Sequence, residues 1–233
     1  MSDHEYDAVL WDIGGVIVEL KSIREGYATF VAELAAAYDL DPEAALDTWK
    51  SALGEHFRSR EGTEYVTARE GYRKATNALF EDPPDEAAWM RTFRRTSRDA
   101  MRTEPNAVET IRALDDAGLH LGIVSDIDTA EAGSMLSGFG VEDCFDAVTT
   151  SEDVGYTKPD TRMFEDAKSK LPPEVSPDRT LMVGDRYRHD VEGASEAGLT
   201  PVAYGEDAAG PAAAHEIADL RELLDIVGAG TDR

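Results

Sequence analysis

Leu10-Trp11-Asp12-Ile13-Gly14-Gly15-Val16-Ile17 is the stretch on which the fold turns. Residues 7–11 form a short apolar-rich run that ends at an aspartate, and the Gly14-Gly15 pair breaks it, the pattern of a buried strand entering a tight turn. Glycines at such a turn let backbone groups approach a ligand closely. Three further segments adjoin short apolar runs in the same way: Gly122-Ile123-Val124-Ser125-Asp126, then Gly155-Tyr156-Thr157-Lys158-Pro159-Asp160, then Val183-Gly184-Asp185 with Asp190 five residues on. Strands that end in polar residues place them along one rim of a parallel sheet, where ligands bind in open α/β folds.

Outward from the first strand the rhythm changes. Ile23, Tyr27, Phe30, Val31, Leu34 and Tyr38 recur at steps of three and four, the spacing of an amphipathic helix. Asp41-Pro42 reads as an N-cap followed by proline at the first helical position. Leu46, Trp49, Leu53 and Phe57 line a second helix, Val66 to Leu79 a third, and Asp85 to Met101, after Pro83-Pro84, a fourth. Past Pro105 strands and helices alternate. Strands are expected at Leu119–Val124, Phe145–Val148, Leu181–Val183 and Pro201–Tyr204. Helices are expected around Val108–Leu114, to about Leu136, at Met163–Ala167, Val191–Ala197 and Ile217–Leu224. Alternation of this kind implies parallel pairing with right-handed crossovers. The fold class is therefore α/β, with a parallel-sheet core from residues 1–19 and 103–233 and a helical insert at 20–102.

The chain has 233 residues and a formal net charge of -25, from 48 acidic against 23 basic side chains, only six of them Lys. Such a surface repels nucleic acid and anionic membranes. At molar salt, where the Debye length is about 3 Å, its self-repulsion is screened, so the composition suits a halophilic, salt-loaded cytoplasm. Cys144 is the single cysteine, which excludes an intrachain disulfide and fits a reducing compartment. No signal peptide and no apolar run near 18 residues is visible, so a cytoplasmic protein, monomer or homodimer, is expected.

The polar strand ends suggest a chemistry. A carboxylate at Asp12 can attack phosphorus and split one hard step into two. Asp185 could share a Mg2+ with Asp12, with the Gly14 carbonyl as a further hard oxygen ligand and Asp190 orienting the metal's water. Ser125 offers a hydroxyl to a phosphate oxygen, and Lys158, stiffened by Pro159, offers a positive charge. Singly, each residue reads more readily as a cap or a surface turn. Their order along the chain is what carries the reading.

With these segments in place, the chain resembles the haloacid dehalogenase superfamily, in the subgroup with an α-helical cap inserted after the first motif. The resemblance covers about residues 7–204 and implies a Rossmann-like core. It also implies Asp12 as nucleophile, Ser125 and Lys158 as holders of the phosphoryl group, and Mg2+ at Asp12, Gly14, Asp185 and Asp190. The implied function is a phosphatase acting on a small phosphorylated metabolite through an aspartyl-phosphate. The sequence departs at Gly14, where phosphatases of this kind usually carry a second Asp as general acid and base, a contribution of about 10²–10⁴-fold. Asp126, Asp128, Glu19 and His189 are candidate replacements. Phosphonatase relatives also lack that Asp, so C–P cleavage with Lys50 as a Schiff base is an alternative. Dehalogenation fits less well, because Asp185 and Asp190 imply a metal. A non-catalytic binding protein on the same scaffold is the remaining alternative.

Arg91, Arg95, Arg98 and Arg102, at steps of four, three and four, are expected on one face of the fourth helix. Either they pair with neighbouring acids, the favoured reading, or Arg91 and Arg95 bind an anionic substrate. Tyr27, Trp49, Phe57, Trp89 and Phe93 are expected in the core of the insert.

Overall fold

A computed structural model describes residues 5–229. In chain order its elements are β1 (Ala8–Trp11), α1 (Leu20–Tyr38), α2 (Pro42–Arg58), α3 (Ala68–Asn77), α4 (Glu86–Ala100), α5 (Ala107–Asp116), β2 (His120–Ser125), α6 (Thr129–Gly138), β3 (Ala147–Thr150), α7 (Ser151–Val154), α8 (Thr161–Ser169) and β4 (Thr180–Gly184). A π-helical turn at Tyr187–Glu192 then leads into α9 (Gly193–Glu196), followed by β5 (Thr200–Tyr204), β6 (His215–Ile217) and α10 (Glu222–Ile226). The chain divides into two compact units, Met1–Val18 with Thr103–Arg233, and Glu19–Arg102.

The first unit is built on a parallel sheet in the order β3-β2-β1-β4-β5-β6. Trp11 lies opposite Ile123 of β2 and Val183 of β4, so the chain leaves all three central strands at one level. The Asp12 N–H continues the ladder by donating to the Val183 carbonyl at 3.0 Å. All four residues of β1 and all five of β4 are buried, as expected of strands covered on both faces. One apolar cluster joins Leu10, Val124 and Met182 of the strands to Met163 and Phe164 of α8 and Ala194 of α9. That packing fixes the strand ends from below.

Local differences from the expected elements have physical causes. The third strand begins at Ala147 rather than Phe145, because Glu142–Cys144 form a tight 3-10 turn and the Phe145 N–H closes it on the Glu142 carbonyl. Ile217 is in β6, opposite Tyr204, rather than in a helix. Its spacing to Leu220 looks helical, yet both are buried by a strand and a turn, and the Glu222 carboxylate caps that turn by accepting from the Ala218 and Asp219 N–H groups. The helix expected from Val191 begins earlier, as the π-helical turn.

The second unit is a bundle of α1 to α4 around Phe30, Val31 and Leu34 of α1, Trp49 and Leu53 of α2, Tyr72 of α3, and Trp89 and Phe93 of α4. Tyr27 and Phe57 pack against this cluster half-buried. Aromatic rings meet edge-on, tilted and stacked, Phe30 edge-on to Phe93 at 5.2 Å, Tyr72 tilted against Phe93 at 4.3 Å and Tyr27 stacked on Phe93 at 5.8 Å, contacts worth about 0.5–1.5 kcal/mol each beyond their burial. The Tyr27 and Tyr72 hydroxyls hydrogen-bond at 2.8 Å. Asp41 caps α2, its carboxylate accepting from the Ala44 N–H at 2.8 Å with Pro42 at the first helical position.

Candidate active site

The turn after β1 is closed by the Gly15 N–H donating to the Val18 carbonyl at 2.8 Å, with Gly14 and Val18 in an isolated bridge. Gly15 has φ +81°, and a Cβ there would lie 2.0 Å from Asp185 Oδ2. The glycine is therefore required twice, for its left-handed backbone and for the carboxylate beside it. Gly184 is needed for space alone, since a Cβ would lie 2.1 Å from the Asp190 Cβ.

Five of the residues expected to carry chemistry converge at the strand ends. Asp12 is 2% exposed. Its Oδ1 accepts from the Ser125 hydroxyl at 2.7 Å and from the Ile13 N–H at 2.8 Å. Its Oδ2 lies 3.1 Å from Lys158 Nζ and 3.6 Å from Arg186 Nη2. Lys158 is fully buried, and its ammonium also meets Asp190 Oδ1 at 2.6 Å and donates to the Val124 carbonyl at 2.8 Å. An ammonium has three donors, and all three of these have a partner. The π-helical turn explains how Asp190 reaches inward: its extra residue per turn aims the carboxylate at Lys158, a distortion that recurs at functional sites. Asp190 Oδ2 accepts from the Arg186 backbone N–H at 3.0 Å.

Arg186 is the member of the site that the sequence reading missed, and Asp126, expected there only as a candidate replacement acid, is its partner. The Arg186 guanidinium is bonded to Asp126 Oδ2 at 3.1 Å and lies 3.9 Å from Asp185 Oδ1 and 3.8 Å from Asp190 Oδ2. Asp126 Oδ1 accepts from the Lys158 N–H at 2.8 Å and the Ser151 hydroxyl at 3.1 Å. The carboxylate weighed as a replacement acid is thus engaged in holding the Lys158 loop. The one sequence signal for Arg186 was a cation set directly after Asp185 in a chain poor in cations.

Charge decides the protonation of the cluster. Burial pushes the Asp12 carboxyl up, but Lys158, Arg186 and the Ser125 hydroxyl outweigh it and hold the group below the usual carboxylate range. Burial pushes Lys158 down, and Asp12, Asp190 and Asp126 more than reverse this. Asp190 is raised by burial, which Lys158 only partly offsets. Asp185 is pushed up to about 6 by burial and by the nearby Asp12 and Asp190 charges. Strongly perturbed carboxylates gathered at one strand rim are a signature of a working site.

The donor set suits a hard divalent cation. Asp12, Asp185 and Asp190 each present a carboxylate oxygen within 4.8 Å of the others. Asp185 Oδ1 is buried with no hydrogen-bond partner. Four carboxylates (Asp12, Asp126, Asp185, Asp190) face two cations (Lys158, Arg186), an excess of two negative charges when all are ionised. All-oxygen ligation with few carboxylates is what Mg2+ takes.

His189 is half-buried in the π-helical turn, and Asp128 is buried at the start of α6. In the helical unit, Glu19 accepts from Arg102 Nε at 2.9 Å, Lys50 is exposed on α2, and Arg91 is exposed on α4. Arg95 pairs with Glu33 and approaches Asp99, and Arg98 lies 3.6 Å from Asp99. Arg102 is not on the helical face expected for it, because α4 ends at Ala100 and Met101 is extended. The Arg102 N–H donates to the Ser22 hydroxyl and its carbonyl accepts from the Glu19 N–H, drawing the chain away from the helix axis. Its guanidinium then pairs with Glu19 and Glu25.

The family model of the haloacid dehalogenase-like hydrolases matches residues 6–198. A glyceraldehyde 3-phosphate phosphatase of Methanothermobacter thermautotrophicus is 33% identical over 129 residues, which are 54% of this chain and 56% of that protein, so the match spans little more than half the relative's length. A ribulose-1,5-bisphosphate 5-phosphatase of Halopiger xanaduensis is 28% identical over 94% of this chain and 98% of its own. Among solved structures, an HAD phosphatase from Thermococcus onnurineus superposes with a TM-score of 0.73 at 25% identity, over 95% of this chain and 98% of that one.

Proposed function

The chain belongs to the haloacid dehalogenase-like hydrolases, and from that premise we propose that it is a Mg2+-dependent phosphatase of a small phosphorylated metabolite, working through an aspartyl-phosphate on Asp12. The observation that carries the proposal is the division of labour on that carboxylate. Oδ1 is held by Ser125 and the Ile13 N–H, while Oδ2 points between Lys158 and Arg186. A buried carboxylate kept ionised and set beside two cations is arranged to meet an anion and attack it. The relatives' names, a triose phosphate phosphatase and a sugar bisphosphate phosphatase, support a phosphorylated metabolite as the substrate class.

In this reading Asp12 supplies the nucleophilic oxygen, Ser125, whose one O–H rests on Asp12 Oδ1 in the free enzyme, turns it to a phosphoryl oxygen when substrate binds, and Lys158 stabilises charge on the transferring group. Asp12, Asp185 and the Gly14 carbonyl would hold Mg2+, with Asp190 behind them as the partner of Lys158. The bound ion would neutralise the excess negative charge and so allow an anionic substrate to approach an anionic nucleophile. Rapid quench of a reacting sample followed by mass spectrometry is the test of the covalent step. A phosphate adduct on the peptide containing Asp12 is expected, and turnover without any such adduct would refute the route.

A further inference from the structure

Four groups contact the Asp12 carboxylate, and three of them are closed to solvent. Ser125 is 3% exposed, Lys158 is fully buried, and the Ile13 N–H is backbone within a buried residue. The fourth, Arg186, has a side chain 40% exposed. A ligand that reaches Asp12 Oδ2 from solvent therefore meets the guanidinium on its way. Of the neighbouring carboxylates, Asp126 is held by Arg186, Ser151 and the Lys158 backbone, and Asp190 by Lys158 and the Arg186 backbone, while Asp185 is the one left for the metal, which requires it ionised. Position 14 is a glycine and brings no side chain. Among the described residues that touch the nucleophile, then, the one group open to solvent is a permanent cation that does not give up its proton.

We infer that Arg186 is a catalytic residue that stabilises the departing ester oxygen by charge instead of by proton donation; the inference rests on the phosphatase reading above. Its planar fork can bridge a phosphoryl oxygen and the ester oxygen at once. In the first step Asp12 Oδ2 bonds to phosphorus while the P–O bond to the alcohol breaks. The electron pair stays on the departing oxygen, which the guanidinium holds until it takes a proton from water. In the second step water adds to phosphorus and loses a proton to solvent. The P–O bond to Asp12 breaks, its electron pair returns to the carboxylate, and inorganic phosphate leaves. Only the first step builds charge on the alcohol, so the contribution of Arg186 depends on how poor a leaving group that alcohol is.

The test compares wild type with Arg186→Met and Arg186→Lys at saturating Mg2+, on an alkyl phosphate and on p-nitrophenyl phosphate. Magnesium affinity and unfolding midpoint are measured alongside, and inorganic phosphate is titrated calorimetrically as a readout independent of turnover. The Arg186 bond to Asp190 is made by the backbone N–H, which neither substitution removes. Losing one preorganised donor to developing charge costs about 10²–10³-fold in kcat. That loss is expected on the alkyl ester for Arg186→Met, with a much smaller loss on the nitrophenyl ester, partial recovery in Arg186→Lys and weaker phosphate binding. Equal losses on both esters, or none, would overturn the inference while leaving the phosphatase reading intact. A wild type that hydrolyses neither ester nor any phosphorylated metabolite would overturn both.

Discussion

Two sets of arginine and lysine ion pairs distinguish the units of this chain. In the core unit Lys158 and Arg186 serve Asp12, Asp126, Asp185 and Asp190 at strand ends where Lys158, Asp12 and Asp190 are buried. In the helical unit Arg95, Arg98 and Arg102 meet Glu33, Asp99, Glu19 and Glu25, all well exposed. Charge types and distances are alike. The surroundings differ, and they decide the consequence. Water and salt screen the exposed pairs nearly to nothing, whereas buried charges hold each other's ionisation state and are costly to orphan.

The contrast breaks if Lys158 proves dispensable. Lys158→Met leaves Asp12 and Asp190 buried without their shared cation, and removing one partner of a buried pair costs about 3–5 kcal/mol. Denaturant unfolding should register a loss of that size, together with loss of turnover. An unchanged midpoint would mean that the cluster is hydrated and behaves like a surface.

A smaller effect sharpens the role of Asp185. Its carboxyl is raised to about 6 in the fold, so in metal-free protein its contribution to stability is full below the unfolded value near 3.8 and is lost as pH rises through about 6. A bound cation requires the ionised form, so magnesium affinity should fall about tenfold per pH unit below 6. The Mg2+-induced rise in Tm should be clear at pH 7.5 and small at pH 5, and absent at both in Asp185→Asn. A pH-independent rise would place the metal elsewhere.

The smallest effect belongs to the other side of the comparison. Arg95→Ala should leave the unfolding midpoint essentially in place in molar KCl, because an exposed pair is screened there. A large drop in both the midpoint and turnover would give that helix a role its geometry does not suggest. The same titration tests the salt-adapted surface inferred from the net charge of -25. Wild-type Tm should rise from about 0.1 M to molar KCl as self-repulsion is screened.

Much of this was legible in the sequence because the residues carry periodic or punctuated signals. Asp12, Ser125 and Asp185 end apolar runs, and the register of β1 against β2 and β4 sets them side by side. Phe30, Trp49 and Phe93 recur at helical steps and form the core of the bundle. What escaped notice depends on contacts between distant residues. Arg186 follows a strand end within a loop, and its partner Asp126 is 60 residues away. The inward aim of Asp190 needs a π-helical turn, which has no sequence period of its own. The break after Ala100 depends on hydrogen bonds that Arg102 makes to Glu19 and Ser22, some 80 residues earlier. Ile217 pairs with Tyr204 because an open sheet edge was available, a fact no local window contains.

The most direct test of the central claim is phosphate release from a panel of phosphorylated metabolites in molar KCl, with and without Mg2+, for wild type beside Asp12→Asn. The account predicts turnover of at least one metabolite that requires the metal and disappears in the variant. Turnover that persists in folded Asp12→Asn, or no release from any substrate by a folded wild type, would contradict it.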